Sequence, residues 1–300
     1  MSMNEAGLPG AIPLGVVGTM PNIGMGMGMP MNREMHQVPF DMLPSKGVSY
    51  PENIEILVSP MRIRERRMLE GATQATYYEK LLEGITVHGG MFNKKELLFA
   101  DVQFLDLVRR IHSFELDKEI QITGYECQHC GEESKVSFKF TDIEFEDMPA
   151  DIFKTERKLI DPETGEEVPV TYKGKVYKFS DGLEVVAGPL TVGEYIDLAT
   201  KYLSNVSEKN LSTKIADIYI AQFSYLIKEV IGEKFLSDDF KRKFLNEYIG
   251  DLYKVADEDL LAQIEKDTTS VLVPIKKQCE HCGEMMEVYV QPSLRFQQEI

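Results

Sequence analysis

The stretch Cys127-Gln128-His129-Cys130-Gly131-Glu132 occurs a second time, slightly altered, as Cys279-Glu280-His281-Cys282-Gly283-Glu284. Both copies keep Cys, His, Cys, Gly and Glu at the same places, and together they contain all 4 cysteines of the 300-residue chain. Apolar residues continue the register at equal distances after each second cysteine: Val136, Phe138, Val288 and Val290. Each copy therefore predicts a strand, a tight turn with two cysteines and a second strand, a unit that we call a knuckle.

The cysteine spacing indicates a shared metal site. Two intervening residues let two thiolates face one ion, and the glycine that follows, Gly131 or Gly283, permits the left-handed backbone of a tight turn. One knuckle offers two ligands and tetrahedral zinc takes four, so we expect both knuckles to hold one structural Zn²⁺. The predicted ligands are Cys127, Cys130, Cys279 and Cys282. The long stretch between the knuckles is then an insertion within a zinc ribbon.

Two other interpretations of these cysteines stay open. A redox Cys-x-x-Cys pair normally opens a helix in an α/β fold, whereas a strand pattern follows each pair here. His129 or His281 would be available as a ligand, but a histidine between two thiols points away from a metal that they share. The spacing favours the shared zinc. A closed Cys₄ site has no open coordination position, so the ion would be structural rather than catalytic.

Hydrophobic periodicity predicts an α+β fold with four segments. Methionine, glycine and proline are concentrated in residues 1–50, which we expect to form a disordered tail. Residues 51–150 are predicted to be a small helical unit with the first zinc knuckle. Residues 151–270 are predicted to be a mostly helical insertion with one hairpin. Residues 271–300 would supply the second knuckle and complete the ribbon-like β element.

Several elements have clear signals within these segments. Apolar residues at helical spacing predict an amphipathic helix over Asp101–Ser113, and Tyr77–Ile85 continues an earlier helical region. Val168–Phe179 is interpreted as a hairpin that turns at Lys173-Gly174. Ile215–Ile231 is apolar on most of its circumference, which predicts one buried helix.

The net charge restricts the kind of partner. Lys and Arg number 33 and Asp and Glu number 49, which gives −16 at pH 7. A chain this acidic is repelled by phosphate backbones and anionic membrane surfaces, so nucleic acid is disfavoured as the main partner. No apolar run approaches the roughly 20 residues that span a bilayer, and no secretory signal is recognisable. We therefore expect no membrane span and a cytoplasmic location.

No enzyme signature emerges from the sequence. The chain lacks His-Glu-x-x-His, Gly-x-x-x-x-Gly-Lys-Ser/Thr and Gly-x-Ser-x-Gly. The repeated glycines of Gly24–Gly28 lie in the predicted tail without a preceding strand, so they do not indicate a phosphate loop. The three histidines outside the knuckles, His36, His88 and His112, are isolated in sequence. We expect no catalytic residue and no small-molecule substrate.

The first half of the chain has an early Arg/Glu helix, then Asp101 before an apolar helix that contains Arg109, then a Cys-x-x-Cys turn. These motifs are Met61–Glu65, Leu98–Arg110 and Cys127–Cys130. The arrangement resembles the baseplate hub proteins of T4-type contractile-tailed bacteriophages, which include the hub assembly protein, over about Ile54–Asp147. The resemblance implies a structural or assembly role without catalysis, through contacts with other baseplate and tail proteins. It implies a location in the host cytoplasm during assembly, or in the virion if the protein is retained.

A zinc-ribbon adaptor in a transcription or nucleic-acid-associated complex is the second functional hypothesis. Such a ribbon normally presents Lys or Arg beside its knuckles to meet phosphate. Here the neighbours are mostly acidic: Glu126, Glu132, Glu133, Glu280, Glu284 and Glu287, against Lys135, Lys276 and Lys277. This balance favours contacts with proteins. The Met-rich segment Met1–Tyr50 is either a solvated linker or a segment that orders on a partner, since methionine adapts to irregular apolar surfaces.

Overall fold

The computed structural model describes residues 34–113, 119–160, 166–203, 211–269 and 272–288. Helices and antiparallel strands alternate along these ranges, which confirms the α+β class. Buried side chains there form three hydrophobic cores, which we call the first core, the insertion core and the ribbon core. None of the helices in the described ranges is long and apolar enough to cross a membrane.

The strands in chain order are β1 (His36–Val38), β2 (Glu55–Val58), β3 (Ile85–His88), β4 (Glu119–Glu126), β5 (Glu133–Lys139), β6 (Glu144–Phe145), β7 (Thr155–Ile160), β8 (Glu167–Tyr172), β9 (Lys175–Lys178), β10 (Glu184–Ala187), β11 (Ile227–Val230), β12 (Leu272–Val273), β13 (Ile275–Gln278) and β14 (Met285–Val288). The α-helices are α1 (Ile63–Glu70), α2 (Gln74–Glu83), α3 (Phe99–Ser113), α4 (Val192–Leu198), α5 (Leu211–Leu226), α6 (Asp238–Gly250) and α7 (Val255–Thr268). Shorter helical turns are 3₁₀ at Phe40–Met42, Lys94–Glu96, Phe140–Asp142 and Ala150–Ile152, and π at Ala199–Leu203.

The first core lies between the sheet β1-β2-β3 and helices α1, α2 and α3. On α3, Val102, Leu105 and Val108 are buried at helical spacing, so the predicted amphipathic helix is confirmed. Helix α2 ends at Glu83, and Ile85 begins β3 rather than extending the helix as predicted. A β-branched pair with polar neighbours, Ile85 and Val87, suits a strand once β2 is available for pairing.

The boundary of the predicted tail is too far along the chain. Residues 34–50 lie in the folded body, because β1 pairs with β2 and because Leu43 and Tyr50 are buried in the first core. Their partners come from β2 and α3, so local composition did not indicate this packing. The rest of the predicted tail, residues 1–33, lies outside the described residues.

The insertion contains more β structure than the single predicted hairpin. Strand β8 pairs with β7, whereas β9 pairs with β10, so Lys173-Gly174 links two sheets instead of turning one hairpin. Gly174 has φ +154° and passes so close to Ala187 that a Cβ there would lie 2.5 Å from its carbonyl oxygen. The predicted helix Ile215–Ile231 is wrong at its end, because Ile227–Val230 forms β11 beside β10. The stretch Asp161-Pro162-Glu163-Thr164-Gly165, whose composition predicts a turn, lies outside the described residues.

Helix α4 joins the insertion to the first core. Thr191 caps this helix and forms a β-bridge with Leu98 just before α3. On α4, Val192 and Ile196 lie in the first core, whereas Leu198 lies in the insertion core. The insertion therefore packs against the first core as well as being joined to the ribbon through the chain.

Candidate metal centre

The two knuckles have the same backbone geometry. In the first, the Cys127 N–H donates to the Glu132 carbonyl at 2.9 Å, and the Gly131 N–H donates to the Cys127 carbonyl at 2.9 Å. In the second, the corresponding bonds from Cys279 and Gly283 are 2.8 and 3.0 Å. Gly131 and Gly283 have φ of 73° and 76°, a left-handed conformation that favours glycine. The repeated sequence thus produces a repeated turn.

Pairing of β6 with β12 returns the chain to the ribbon after the insertion. This short ladder joins Phe145 to Leu272, close to both ends of the insertion, and places β13 and β14 near β4 and β5. The ribbon core then packs side chains of both knuckles together, including Val136 and Phe138 from the first and Met286 and Val288 from the second. The fold thereby brings two segments together that are far apart in sequence.

All four thiols converge at this junction. Their sulfur atoms lie within 4.8 Å of one another. Two of these contacts cross between the knuckles, with 3.8 Å from Cys127 Sγ to Cys282 Sγ and 3.8 Å from Cys130 Sγ to Cys279 Sγ. Four sulfurs placed tetrahedrally around zinc, with Zn–S bonds of about 2.3 Å, lie about 3.8 Å apart. The spacing of the thiols therefore fits a tetrahedral metal ion, and the soft donor set fits zinc.

Each knuckle contributes one buried and one exposed thiol. Cys127 and Cys279 are buried, whereas Cys130 and Cys282 are exposed, and none of the four forms a disulfide. The contacts at 3.8 Å join thiols of different knuckles, so the four sulfurs form one cluster rather than two separate Cys-x-x-Cys pairs. Each Cys pair is followed by a strand, β5 or β14, whereas a redox Cys-x-x-Cys pair is normally followed by a helix.

Neighbouring groups separate the pKa values of the thiols. Backbone hydrogen bonding at Cys282 and then the Ser134 hydroxyl lower the pKa of Cys279 to about 6. For Cys130, backbone hydrogen bonding at Glu132 lowers the pKa, but desolvation and the adjacent thiols outweigh it and raise the pKa to about 12. Thiols this close share protons when one of them ionises. A divalent cation would replace those protons, so metal uptake would release protons and weaken as the pH falls.

The ring of each knuckle histidine contacts the opposite knuckle. His129 and His281 are exposed, and each ring Nε2 lies 3.1 Å from a backbone carbonyl oxygen of the other knuckle. The group of clustered metal-binding side chains found among the described residues consists of the four cysteines. That neither histidine is a ligand stays a prediction.

Asp101 and Arg109, the other residues that carry the family resemblance, form buried hydrogen bonds beside the first core. Asp101 is fully buried and accepts hydrogen bonds from the Ser45 N–H at 3.0 Å, the Ser45 hydroxyl at 2.6 Å and the Tyr50 hydroxyl at 2.5 Å. Burial raises the pKa of Asp101, and these hydrogen bonds oppose the rise. Arg109 is buried and donates to the carbonyl oxygens of Ser59 and Leu81 at 2.8 and 3.2 Å.

Sequence reasoning missed the partners of these two residues. Ser45 and Tyr50 lie in the segment predicted to be a tail, and Gly84 leaves the space that the Arg109 guanidinium fills. Buried polar groups of this kind require partners, so an Asp and an Arg that share a helix face with Leu105 and Val108 were the available signal.

The α+β body thus brings two Cys-x-x-Cys turns that are distant in sequence into one cluster of four thiols. A family profile described as T4 bacteriophage base plate protein matches residues 35–295. The chain therefore belongs to the T4 bacteriophage base plate protein family, which confirms the resemblance at that level. Searches of curated proteins and of solved structures found no match.

Proposed function

We propose that this protein is a structural or assembly component of the baseplate hub of a phage tail, and that one structural Zn²⁺ stabilises it. Membership of the base plate family carries the proposal, since it supports a structural baseplate role with other tail proteins as partners. The hub position rests on the resemblance of residues 54–147. We further propose that the protein is no enzyme and works in the host cytoplasm during assembly.

The zinc proposal rests on the donor set and its spacing. Cys127, Cys130, Cys279 and Cys282 provide four thiols and no open coordination position, which suits a structural ion. Because two ligands precede the insertion and two follow it, the ion would hold the two ends of the insertion together. Replacement of either Cys127 or Cys279 by serine should reduce metal binding similarly, since each change leaves three thiols.

The β7–β8 hairpin supports a role based on protein contacts. Its base is anchored by the buried Tyr172 and by the ion pair between Arg157 and Glu184 at 3.0 Å. Toward its end Ile160 is 72% exposed, and Leu159 and Val168, which face each other across the ladder, are also exposed. Neighbouring exposed apolar side chains on one pair of strands are typical of contact surfaces.

A sharp test of this contact surface is the change Ile160→Lys. The side chain is largely exposed, so folding and metal content should stay unchanged while binding to tail proteins from the same phage should fall at least tenfold. Val48→Lys is a matched control, because Val48 is an exposed aliphatic residue in the first unit. Equal binding by both variants and the unaltered protein would place the contact surface elsewhere.

The adaptor alternative is disfavoured by charge around the knuckles. Glu126, Glu132, Glu133, Glu280 and Glu284 are all exposed there. Carboxylates in these positions repel phosphate, and the repulsion would weaken non-specific nucleic-acid binding. Retention on immobilised DNA or RNA at about 0.15 M salt would favour the adaptor; recovery with assembled hubs or hub intermediates would favour the proposed function.

A further inference from the structure

The two knuckle histidines make the same contact in opposite directions. His129 Nε2 lies 3.1 Å from the carbonyl oxygen of Met285, and His281 Nε2 lies 3.1 Å from the carbonyl oxygen of Glu133. Met285 and Glu133 are the first residues of β14 and β5, and each lies three positions after the second cysteine of its knuckle. Each histidine therefore reaches the start of the other knuckle's outgoing strand.

The chemistry of the contact determines that ring nitrogen Nε2 of each histidine carries a proton. A carbonyl oxygen only accepts hydrogen bonds, so each imidazole must donate through Nε2–H. The backbone N–H of His129 also points to Cys127 Sγ at 3.4 Å, and that of His281 points to Cys279 Sγ at 3.4 Å. Each histidine thus contacts a sulfur of its own knuckle through the backbone and the opposite knuckle through the ring.

Two further side chains of the first knuckle, Gln128 and Tyr125, contact the second knuckle. Gln128 Nε2 donates to the Glu287 carbonyl at 2.8 Å, and its Oε1 accepts from the Glu287 N–H at 3.3 Å. The Tyr125 hydroxyl donates to the same carbonyl at 2.6 Å. The amide of Gln128 therefore occupies both backbone groups of one residue in β14, as a neighbouring strand would. Glu280 stands at the equivalent place in the second knuckle, and a carboxylate cannot donate in this way.

These side chains matter because the knuckles share no backbone ladder in the described residues. Strands β4 and β5 form one two-stranded sheet, and β13 and β14 form another. Isolated two-stranded ribbons are marginally stable in water. The relative position of the two Cys pairs then depends on the two-residue β6–β12 ladder beside the knuckles, on the ribbon core and on side chains that cross between the knuckles.

We infer that His129 and His281 are reciprocal positioning residues that hold the two Cys pairs at ligand spacing without binding the metal. The inference rests on the proposed Cys₄ site and adds the contacts that align its two Cys pairs. Outer groups that orient metal ligands typically change metal affinity by about 10–100-fold when they are removed. Removal of either imidazole should therefore increase the rate at which the metal dissociates, whereas the four cysteine ligands should stay the same.

The test uses the full-length protein loaded with Co²⁺ or Zn²⁺. His129→Leu and His281→Leu remove the donor and keep an apolar side chain, whereas His129→Gln and His281→Gln restore an N–H at a similar reach. We expect all four variants to keep the Co²⁺ absorption bands of the unaltered protein. Zinc transfer to a chelator should be about tenfold faster in each leucine variant and close to normal in the glutamine variants. His88→Leu, at the exposed end of β3, is the matched control and should behave as the unaltered protein.

Two results would overturn the inference. A shift of the Co²⁺ bands in a leucine variant would make that histidine a ligand, and an unchanged zinc-transfer rate would remove its positioning role. Amide hydrogen exchange in β5 and β14 of metal-free protein provides a readout that does not need the ion. Faster exchange in the leucine variants supports the junction and equal exchange refutes it, whereas an unaltered protein that binds no metal would refute the proposed Cys₄ site.

Discussion

Replacement of Tyr50 by phenylalanine would test how the segment of residues 34–50 is held. The Tyr50 hydroxyl donates to Asp101 Oδ2 at 2.5 Å and accepts from the Leu98 N–H at 2.9 Å. Both partners are buried, with Asp101 fully inaccessible and Leu98 5% exposed. The change keeps the ring but removes a hydrogen bond to a carboxylate and leaves a buried N–H without this partner.

The magnitude follows from those two losses. A hydrogen bond to a charged group contributes about 1.5–3 kcal/mol, and a buried group left unpaired costs about 1–3 kcal/mol. Because Asp101 keeps both bonds from Ser45, the losses overlap, and we expect the free energy of unfolding to fall by roughly 2–4 kcal/mol. Tyr253→Phe is the control, since Tyr253 is exposed and its change should stay within about 0.5 kcal/mol.

The effect of Tyr50→Phe should depend on pH in a defined direction. Burial raises the pKa of Asp101 in the folded state, so ionisation of this group opposes folding as the pH rises through that pKa. The Tyr50 hydroxyl stabilises the ionised form, so its removal raises the folded-state pKa further. The loss of stability should therefore be largest at neutral pH and smaller in acid, where Asp101 is protonated.

Urea unfolding of metal-saturated protein at several pH values measures both quantities. A change below about 0.5 kcal/mol at pH 7 would refute the reasoning, because a buried hydroxyl with two partners cannot be lost so cheaply. An effect that grows in acid would refute the assignment of the charge to Asp101.

Two further changes test other parts of the fold. In Gly84→Ala, the new Cβ would lie 2.0 Å from the Arg109 guanidinium, so displacement of this buried cation should lower the free energy of unfolding by roughly 3–5 kcal/mol in thermal or urea unfolding. Gly71→Ala, which meets nothing within 4 Å, is its control. Asp267 accepts hydrogen bonds from Lys175 and Tyr177; burial alone would raise its pKa, but these bonds hold the pKa below its ordinary value. The stability from Asp267 is thus complete above its unfolded pKa near ~4 and is lost as the pH falls through its folded pKa. Asp267→Asn should lower the free energy of unfolding by about 1–3 kcal/mol at pH 7 but little near pH ~2, and an equal loss at both pH values would contradict this sign.

The knuckle pair was predictable because its constraint is local and repeated. Two cysteines, a glycine and the alternating strand that follows define the turn, and the identical requirement at Cys127 and Cys279 indicated that both serve one site. The helix over Asp101–Ser113 was equally predictable, because its apolar residues recur at helical spacing. That apolar face packs in the first core.

The remaining elements depend on partners that a single sequence does not display. Ile227 and Val230 continue the helical spacing of apolar residues in α5, and only the pairing with β10 makes Ile227–Val230 a strand. Lys173-Gly174 has the composition of a hairpin turn, but the strands on either side pair elsewhere. Likewise, the segment of residues 34–50 is rich in residues typical of tails, and its order comes from Asp101, a residue distant in sequence.

Metal content of the purified full-length protein tests the central proposal most directly. Native mass spectrometry combined with elemental analysis should find one zinc per chain in the unaltered protein and a loss of that zinc in Cys127→Ser and Cys279→Ser alike. Co²⁺ substituted for zinc should give the absorption of a tetrahedral four-thiolate site. A protein that carries no metal and instead forms one disulfide within each knuckle would contradict the shared site and support a redox role for the cysteines.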